Sequence, residues 1–419
     1  MLDIKLFRDD PELLKKQLAV RAVDPALIDQ VCDLDVRRRL HQKAIDDLRA
    51  EQKRAGKDVA RLRGDDKERL LDELKEISDQ IAERENEMLA SADDLRALLL
   101  VIPNVPHPDL PAGDESANVE LRTVGEPTSF DFAPRDHLDI GETLGLIDME
   151  SGAKVAGSRF TFLKGAAVIL WFAVKQLAIE TLQRHGHTPV LPPVLVRREA
   201  MEGTGIFPAG EDQIYQLEKD ELYLVGTSEV PLAAMHMGDM LDAKALPLRY
   251  VAHSACFRRE AGAAGKDTRG IFRNHQFEKI EMYVFTRPED SWAEHERMVG
   301  IEEEIMRALG LPYRAMLLAT GDIYAASAKT IDLECWFPGQ SRYRETTSCS
   351  NTTDYQTRRL NIRFKTESGP VFAHALNGTV ATSSRTIAAI LENYQRSDGT
   401  VEVPNALRAY VGDERIAPR

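Results

Sequence analysis

Charged and aromatic side chains recur at two-residue intervals in one part of the chain. Arg258 and Glu260 form one set, and Phe277, Lys279 and Glu281 form a second. Because side chains of a β-strand alternate between its two faces, each set would share a face. An arginine can bind a phosphate, a carboxylate can accept a hydrogen bond from an adenine amino group, and a ring can stack on a base. The pattern therefore suits a nucleotide site, and it equally suits cross-strand ion pairs on a solvent-facing sheet.

The surrounding elements predict how these side chains are held. A glycine-rich, charged segment separates the two sets, which indicates a strand, a mobile loop and a second strand. Elsewhere, short β-rich runs alternate irregularly with helical segments, and the sequence has no GxGxxG or GxxxxGK[ST] loop. We therefore expect an α+β fold, with a mixed antiparallel sheet and flanking helices, rather than a doubly wound parallel sheet.

The amino-terminal region has a different texture. Residues 27–100 contain no proline and little glycine, and apolar residues recur there in steps of three and four. A turn signal around Gly64 divides the region, so we predict an antiparallel helical hairpin, a coiled-coil arm tens of ångströms long. Arg54, Lys57 and Arg61 belong to a basic cluster near its tip. Such a cluster is typical of a solvated coiled-coil face with ion pairs, or of an RNA-binding arm.

Composition excludes several classes of protein. The formal net charge of −14 argues against a general nucleic-acid coat, so we expect no DNA partner and only local contact with any nucleic acid. The four cysteines form no CxxC pair, which favours reduced thiols and a cytoplasmic location. The amino terminus is too charged for a signal peptide, and the most apolar stretch, residues 165–174, is too short to span a bilayer. No membrane partner is expected.

Chain length and proline content predict the domain organisation. A chain of 419 residues favours two domains. Four prolines between residues 103 and 111 follow the helical region and indicate a linker. We therefore assign residues 1–102 to an N-terminal domain with the arm, residues 103–125 to a linker, and residues 126–419 to a catalytic domain.

Four segments resemble motifs of the seryl-tRNA synthetases, a family of class II aminoacyl-tRNA synthetases. The stretch FRREAGAAGKDTRGIFRNHQFEKIE, from Phe257, is similar to motif 2 of that class, and LNGT at residues 376–379 followed by Arg385 is similar to motif 3. GTSEV at residues 226–230 resembles the serine-binding TxE element, and RETTSCSN at residues 344–351 resembles the EISSCSN strand. With the hairpin arm, the resemblance covers nearly the whole chain. It implies an antiparallel-sheet class II catalytic domain.

The resemblance also implies the site residues. Those for serine are Thr227, Ser228, Glu229, Arg258, Glu281, Asn377 and Thr379. Those for ATP are Arg258, Arg259, Glu260, Phe277, Glu345, Thr346, Thr347, Ser348 and Arg385. Arg258, Glu345 and Arg385 are the catalytic residues implied, and Glu345 with Ser348 would hold Mg²⁺ on the ATP phosphates.

Individual roles follow from the same resemblance. Thr227 and Glu229 would receive the serine ammonium, while Glu281 and Thr379 would hydrogen-bond its hydroxyl, with Asn377 nearby. Arg258 would hold the serine carboxylate and the α-phosphate together, because activation needs positioning and charge neutralisation rather than proton transfer.

On the nucleotide side, Glu260 would bind the adenine amino group. Phe277 and Arg385 would enclose the adenine, and Arg385 would also reach the γ-phosphate. His275 could be a general base, but an ionised carboxylate needs none, so a structural role is favoured.

The implied function is ATP-dependent activation of serine to seryl-adenylate, then transfer to tRNA(Ser) and to the tRNA that becomes selenocysteinyl-tRNA, tRNA(Sec). ATP is a substrate and Mg²⁺ a cofactor. Arg54, Lys57 and Arg61 would contact the long variable arm of the tRNA. A homodimer is implied, because motif 1, around residues 189–193, forms the subunit interface in this class. The alternative is a paralogue that makes seryl-adenylate for a non-tRNA acceptor, which loss of the arm would favour.

Overall fold

The computed structural model describes residues 1–262 and 269–418, which form two compact units. One unit spans Leu2–Pro103, and the other contains Met1 and Asn104–Arg419. Residues 263–268, part of the predicted mobile loop, lie outside the described residues.

The helices and strands are as follows. The α-helices are α1 (Ile4–Asp9), α2 (Pro11–Ala19), α3 (Pro25–Val59), α4 (Asp65–Val101), α5 (His137–Thr143), α6 (Met149–Ala156), α7 (Ala166–Arg184), α8 (Arg198–Thr204), α9 (Glu229–Ala234), α10 (Ser291–Ala308), α11 (Tyr355–Leu360), α12 (Arg385–Asn393) and α13 (Arg408–Val411). The β-strands are β1 (Val119–Val124), β2 (Ile147–Asp148), β3 (Phe162–Leu163), β4 (Thr188–Val190), β5 (Leu195–Val196), β6 (Gln216–Leu217), β7 (Leu222–Leu224), β8 (Met240–Leu241), β9 (Leu248–Phe257), β10 (Gln276–Thr286), β11 (Tyr313–Leu317), β12 (Lys329–Phe337), β13 (Arg342–Thr353), β14 (Arg363–Thr366), β15 (Gly369–Phe372), β16 (His374–Thr382), β17 (Val401–Glu402) and β18 (Arg415–Ile416).

The first unit contains the predicted helical hairpin. Helix α3 begins with an Asp24 side-chain cap and has 35 residues, about 50 Å at the usual rise per residue. Gly64, at a φ of 62°, precedes α4, which returns alongside α3. Arg49 on α3 lies 2.6 Å from Glu85 on α4, so the two helices are antiparallel and in contact. The prediction of a hairpin arm is confirmed.

A buried charge cluster fixes the base of this unit. Asp35 is 1% exposed, and Arg8 donates two hydrogen bonds to it, each 2.7 Å long. Arg38 and Arg39 also lie within 3.2 Å and 3.0 Å of the same carboxylate. The hydrogen bond from Arg8 is the main reason that the pKa of Asp35 falls to about 2. The cluster therefore ties α1 to α3 around a charged carboxylate.

The second unit is built on an eight-stranded sheet in the order β1-β11-β12-β13-β16-β10-β9-β4. Every neighbouring pair is antiparallel except β4 and β9 at one edge, which are parallel. The prediction of an α+β fold with a mixed antiparallel sheet is confirmed. Strand β1 lies within residues 103–125, so the second half of the segment predicted as a linker belongs to this sheet.

Helices α7, α10 and α12 pack against the sheet and enclose the main core. Among the described residues, α7 alone is long and apolar enough to cross a membrane. Leu170, Trp171 and Val174 of this helix are buried in the core, as expected for the core helix of a globular domain. Side chains on the opposite face of the central strands remain available for a site.

Candidate active site

The central strands form the floor of a cavity of about 570 Å³. Strands β10, β13 and β16 contribute alternate residues to it, and the segments after β7 and β9 form its sides. Two adjoining cavities share Arg273 and Glu345 with it, so the three form one continuous cleft. Its lining includes Gly226, Thr227, Glu229, Arg258, Glu260, Lys279, Glu281, Tyr324, Glu345, Ser348, Asn377 and Thr379.

A buried acid, a buried base and a hydroxyl meet at the bottom of this cavity. Lys279 and Glu281 are 5% and 1% exposed and form an ion pair. The Thr379 hydroxyl donates to Glu281 Oε2 at 3.2 Å and accepts from Lys279 Nζ at 3.3 Å. The three side chains are therefore held by one another, and they offer both a donor and acceptors to a small polar ligand.

Glu229 provides a second carboxylate on the wall of the same cavity. Its Oε1 accepts hydrogen bonds from Asn377 Nδ2 at 3.1 Å and from Gln356 Nε2 at 2.7 Å. Burial and the nearby charge of Glu281 raise its pKa to about 7. Thr227 lies beside it, and the Thr227 hydroxyl accepts the Glu229 backbone N–H at 3.1 Å. A cationic ligand group placed here would favour the ionised form of Glu229.

The upper part of the cleft has the composition of a nucleotide site. The Arg258 guanidinium lies 5.4 Å from the centre of the Phe277 ring, and Arg258 Nε donates to the Gly226 carbonyl at 3.3 Å. Arg273 lies 3.0 Å from Glu260. The sheet therefore brings the arginine, the ring and the carboxylate of the sequence pattern to one cleft, although β9 ends at Phe257, before Arg258.

Arg385 and Glu345 form an ion pair where the three cavities meet. Arg385 Nη1 lies 2.9 Å from Glu345 Oε1 and also donates to the Glu345 carbonyl at 3.2 Å. Burial opposes the charge of Glu345, but Arg385 outweighs it and lowers the pKa of this carboxyl. Glu345 keeps 48% of its side-chain surface exposed in the cleft, so an incoming ligand can reach it.

Oxygen ligands gather near Glu345, on the wall of the adjoining cavity. Ser348 and Asp332 are direct partners across strands β13 and β12, and both line that cavity with Glu345. Asp332 is 8% exposed, and its Oδ1 accepts no hydrogen bond from the described residues. Within those residues, no three His, Cys, Asp or Glu side chains converge closely enough to hold a metal by themselves. A cation here would need oxygen atoms from a ligand as well.

Three residues assigned to the site do not line the cleft. Ser228 is fully buried at the start of α9 and Arg259 is exposed outside the cavities. Thr347 donates to Glu302 of α10 at 3.0 Å, on the helix-covered side of the sheet. Strand β13 has a β-bulge here: Thr347 pairs with Leu333 and Glu345 with Glu334, which leaves Thr346 without a partner. The extra residue places Glu345 and Ser348 on the same face of the sheet and Thr347 on the other.

Other residues of the cleft had no role in the sequence analysis. Lys279 was noted only because it shares a strand face with Phe277 and Glu281. That spacing was the one sequence signal that could have assigned it to the site. Arg273 precedes β10 and lines all three cavities. His275 lies outside the cleft and its Nδ1 contacts the Arg258 carbonyl at 2.9 Å, which fits the structural role favoured for it.

The tip of the hairpin is a candidate surface of a different kind. Arg54 and Lys57 are exposed and form no ion pair with any described residue. Arg61 has 81% of its side chain exposed, with Asp58 at 3.5 Å. These cations are therefore accessible to an extended anionic partner.

Family models match both units of the chain. The model of the seryl-tRNA synthetase N-terminal domain matches residues 1–106. The model of the tRNA synthetase class II core domain (G, H, P, S and T) matches residues 213–394, which hold most of the cleft.

Individual proteins are similar over the full length. The chain is 46% identical to the serine–tRNA ligase of Thermobifida fusca, over all of this chain and 99% of that protein. It is 48% identical to the serine–tRNA ligase of Acidothermus cellulolyticus, over the whole of both chains. The crystal structure of seryl-tRNA synthetase from Pyrococcus horikoshii complexed with ATP is 42% identical, with a TM-score of 0.95 over the whole of both chains.

Proposed function

Since the chain belongs to the seryl-tRNA synthetase family, it is an aminoacyl-tRNA ligase that activates serine with ATP and loads it onto tRNA, and we propose the side chains that do so. One observation carries the assignment: the cavity that holds Glu281, Thr379 and Lys279 at its bottom adjoins a space lined by Arg258, Arg273 and Arg385. A small hydroxylated amino acid and a nucleotide would therefore meet at Arg258.

Serine would occupy the pocket between Glu229 and Glu281. Glu229 would receive the ammonium, with Thr227 beside it, and Glu281 with Thr379 would hydrogen-bond the hydroxyl. Glu281 and Thr379 are hydrogen-bonded to each other and contact Lys279, which holds both groups in place. Alanine has no hydroxyl and would leave Glu281 and Thr379 without this partner. A site built for a hydroxyl disfavours the analogue that lacks it by about 10⁴-fold or more.

ATP, the second substrate, would lie along the upper cleft. Phe277 would stack on the adenine, and Glu260 would accept a hydrogen bond from the adenine amino group. Arg385 would enclose the adenine from the other side and reach the γ-phosphate. Glu260 forms an ion pair with Arg273, and Arg385 forms one with Glu345. Those ion pairs keep the charged groups ordered, so little reorganisation is needed when substrate replaces a partner.

The chemistry requires positioning and charge neutralisation. A serine carboxylate oxygen attacks the α-phosphorus, the bond from that phosphorus to the bridging oxygen breaks, and pyrophosphate leaves. Arg258 would hold the carboxylate and the α-phosphate together and neutralise the charge that develops. In the second step the terminal ribose hydroxyl of tRNA attacks the seryl carbonyl, the bond from that carbon to the adenylate phosphate oxygen breaks, AMP leaves, and the hydroxyl proton passes to the departing phosphate.

The oxygen atoms near Glu345 fit Mg²⁺ carried with ATP. Glu345 and Ser348 would hold the ion, and Asp332, the cross-strand partner of Ser348, lies on the same wall. When bound, the ion would supply charge neutralisation at the β- and α-phosphates. Since the carboxylates do not converge into a complete site, phosphate oxygens would complete the coordination.

The hairpin would bind tRNA(Ser), and tRNA(Sec), through their long variable arm. The exposed cations Arg54, Lys57 and Arg61 support this assignment, because helical RNA is recognised largely through shape and backbone. The similarity to relatives named serine–tRNA ligase extends over the whole of this chain, including the hairpin, which gives no support to a paralogue with a non-tRNA acceptor.

We propose a cytoplasmic homodimer. Apolar side chains are exposed around motif 1: Ile169 and Phe172 on α7 are 44% and 49% exposed, and Leu191 after β4 is 84% exposed. Exposed apolar side chains grouped in this way are typical of protein interfaces.

Two assays on one preparation test the function. We expect serine-dependent exchange of pyrophosphate into ATP, with alanine in place of serine as the control, and serine attachment to unfractionated tRNA. Exchange without attachment would favour the non-tRNA paralogue. Absence of serine-dependent exchange would refute the assignment of the cleft.

A further inference from the structure

Gln356 is fully buried on α11 and lies outside the cavity walls, yet it contacts the wall residue Glu229. Its Nε2 donates to Glu229 Oε1 at 2.7 Å and to the Thr204 carbonyl at 3.0 Å. Its Oε1 accepts from the Tyr283 hydroxyl at 2.7 Å, while the Thr352 hydroxyl, 3.4 Å away, donates to the Ala375 carbonyl at 2.8 Å. Both donors of the amide and its oxygen therefore have partners.

The partners fix the orientation of this amide. The Thr204 carbonyl can only accept, so the amide nitrogen must face it. The same nitrogen then faces Glu229, and the amide oxygen faces the hydroxyl of Tyr283, which is fully buried on β10. A flipped amide would set its oxygen against the carbonyl and the carboxylate.

The two carboxylate oxygens of Glu229 differ in their hydrogen bonds. Gln356 and Asn377 both donate to Oε1, whereas no hydrogen bond from the described residues reaches Oε2. Oε1 is therefore held by the protein, and Oε2 stays available to a ligand in the cavity.

We propose that Gln356 is a positioning residue for serine recognition, which holds Glu229 from behind so that Oε2 faces the substrate ammonium. The inference rests on the proposed role of Glu229 as the ammonium acceptor. It assigns a function in amino-acid binding to a side chain that does not touch substrate.

The charges around Glu229 make the proposal testable by pH. Burial and Glu281 raise its pKa to about 7, while Gln356, Lys279 and Arg258 lower it. Since serine binding needs the carboxylate, serine affinity should improve as pH rises through about 7. Without the hydrogen bond from Gln356 the pKa of Glu229 rises further, so the improvement should move to higher pH.

The experiment compares Gln356→Met with Gln395→Met in pyrophosphate exchange. Gln395 is a matched control, because it is 5% exposed and its amide bonds to the Arg135 and Glu392 carbonyls away from the cleft. We expect Gln356→Met to raise the KM for serine about 10- to 100-fold, the effect of losing a hydrogen bond to a charged group, with an unchanged KM for ATP. The pH profile should shift upward in this variant alone.

Two further variants separate the possible failures. Glu229→Gln tests the proposed function, so a large rise in its serine KM beside a normal Gln356→Met would overturn only the positioning role. If neither variant changed the serine KM, the ammonium assignment would be wrong. Equal losses for serine and ATP in Gln356→Met would reduce Gln356 to a structural residue. If Gln356→Met does not fold, Tyr283→Phe provides the test. It removes the hydroxyl that holds the Gln356 amide, so the KM for serine should rise by a smaller factor.

Discussion

At the tip of the hairpin, Arg54 and Lys57 are exposed and unpaired among the described residues, while in the catalytic cavity Lys279 and Glu281 are buried and paired. Both regions are rich in charge. Buried charges are held in one geometry by neighbouring groups and interact strongly in a low dielectric. Exposed charges are screened by salt, and many of them together suit a polyanion such as RNA.

The difference suggests that the small substrates and tRNA are recognised by different physical interactions. In the cavity, serine and ATP would be selected through directed hydrogen bonds to individual atoms. At the tip, binding would depend on summed attraction to phosphates. The following changes should therefore affect one region without the other, and they are ordered from the largest expected effect to the smallest.

Shortening the hairpin should have the largest effect. His41 lies 3.2 Å from Glu87, so a short glycine-rich turn in place of residues 44–84 can join the helices at one level and keep Asp35 and its arginines. We expect tRNA charging to fall by about 10³-fold or more as phosphate contacts are lost, with pyrophosphate exchange retained. Normal charging by this variant would mean that the arm is structural.

Arg258→Ala should abolish adenylate formation almost completely. It removes the group assigned to both the carboxylate and the α-phosphate, and loss of one electrostatic stabiliser costs about 10²- to 10³-fold in rate. Pyrophosphate exchange measures the effect. Arg197→Ala, at an exposed arginine ahead of α8, is the control. Most of the exchange rate surviving in Arg258→Ala would place the nucleotide elsewhere.

Glu281→Ala should weaken serine recognition and leave ATP binding intact. The acid is buried beneath the amino-acid pocket and is paired with Lys279 and Thr379. We expect the KM for serine to rise about 100-fold and the preference over alanine to fall, since a hydrogen bond to a charged group is lost. Separate titrations of serine and ATP distinguish this from general damage, in which both would weaken equally.

Reversing the charge of Arg54, Lys57 and Arg61 should have the smallest effect. We expect the KM for tRNA to rise about tenfold and its salt dependence to flatten, because fewer counterions are released. Reversal of Arg37, Lys43 and Lys75, which are exposed elsewhere on the same helices, is the matched control. An equal response in both triple variants would show a general charge effect rather than a tip-specific one.

Sequence patterns anticipated the elements better than the side-chain directions. Apolar spacing and turn signals predict the hairpin and the antiparallel sheet because they record which faces must be buried. The motifs also identify Glu281, Arg258 and Arg385, which meet in the cleft. The side chain of Thr347 lies on the helix-covered side of the sheet, because the bulge beside Glu345 reverses the strand alternation and depends on pairing with another strand.

Long-range packing explains the remaining omissions. Gln356 is 127 residues from Glu229 in sequence, and only the fold brings the two together. Lys279 lies in the predicted strand, but its role depends on the Thr379 hydroxyl of β16, 100 residues later. Such partners have no local periodic signal.

The exposed turn of the hairpin determines where a protease would cut first. Trypsin cleaves after lysine and arginine, and Lys57, Arg61 and Arg63 all lie at this accessible tip, whereas Lys279 is enclosed in the sheet. A light digest should therefore nick the tip, with Arg269, 58% exposed ahead of β10, as a second accessible site in the catalytic unit. Bound tRNA would cover the peptide bonds of the tip, so the nicking rate there becomes a footprint of tRNA occupancy that needs no catalytic turnover.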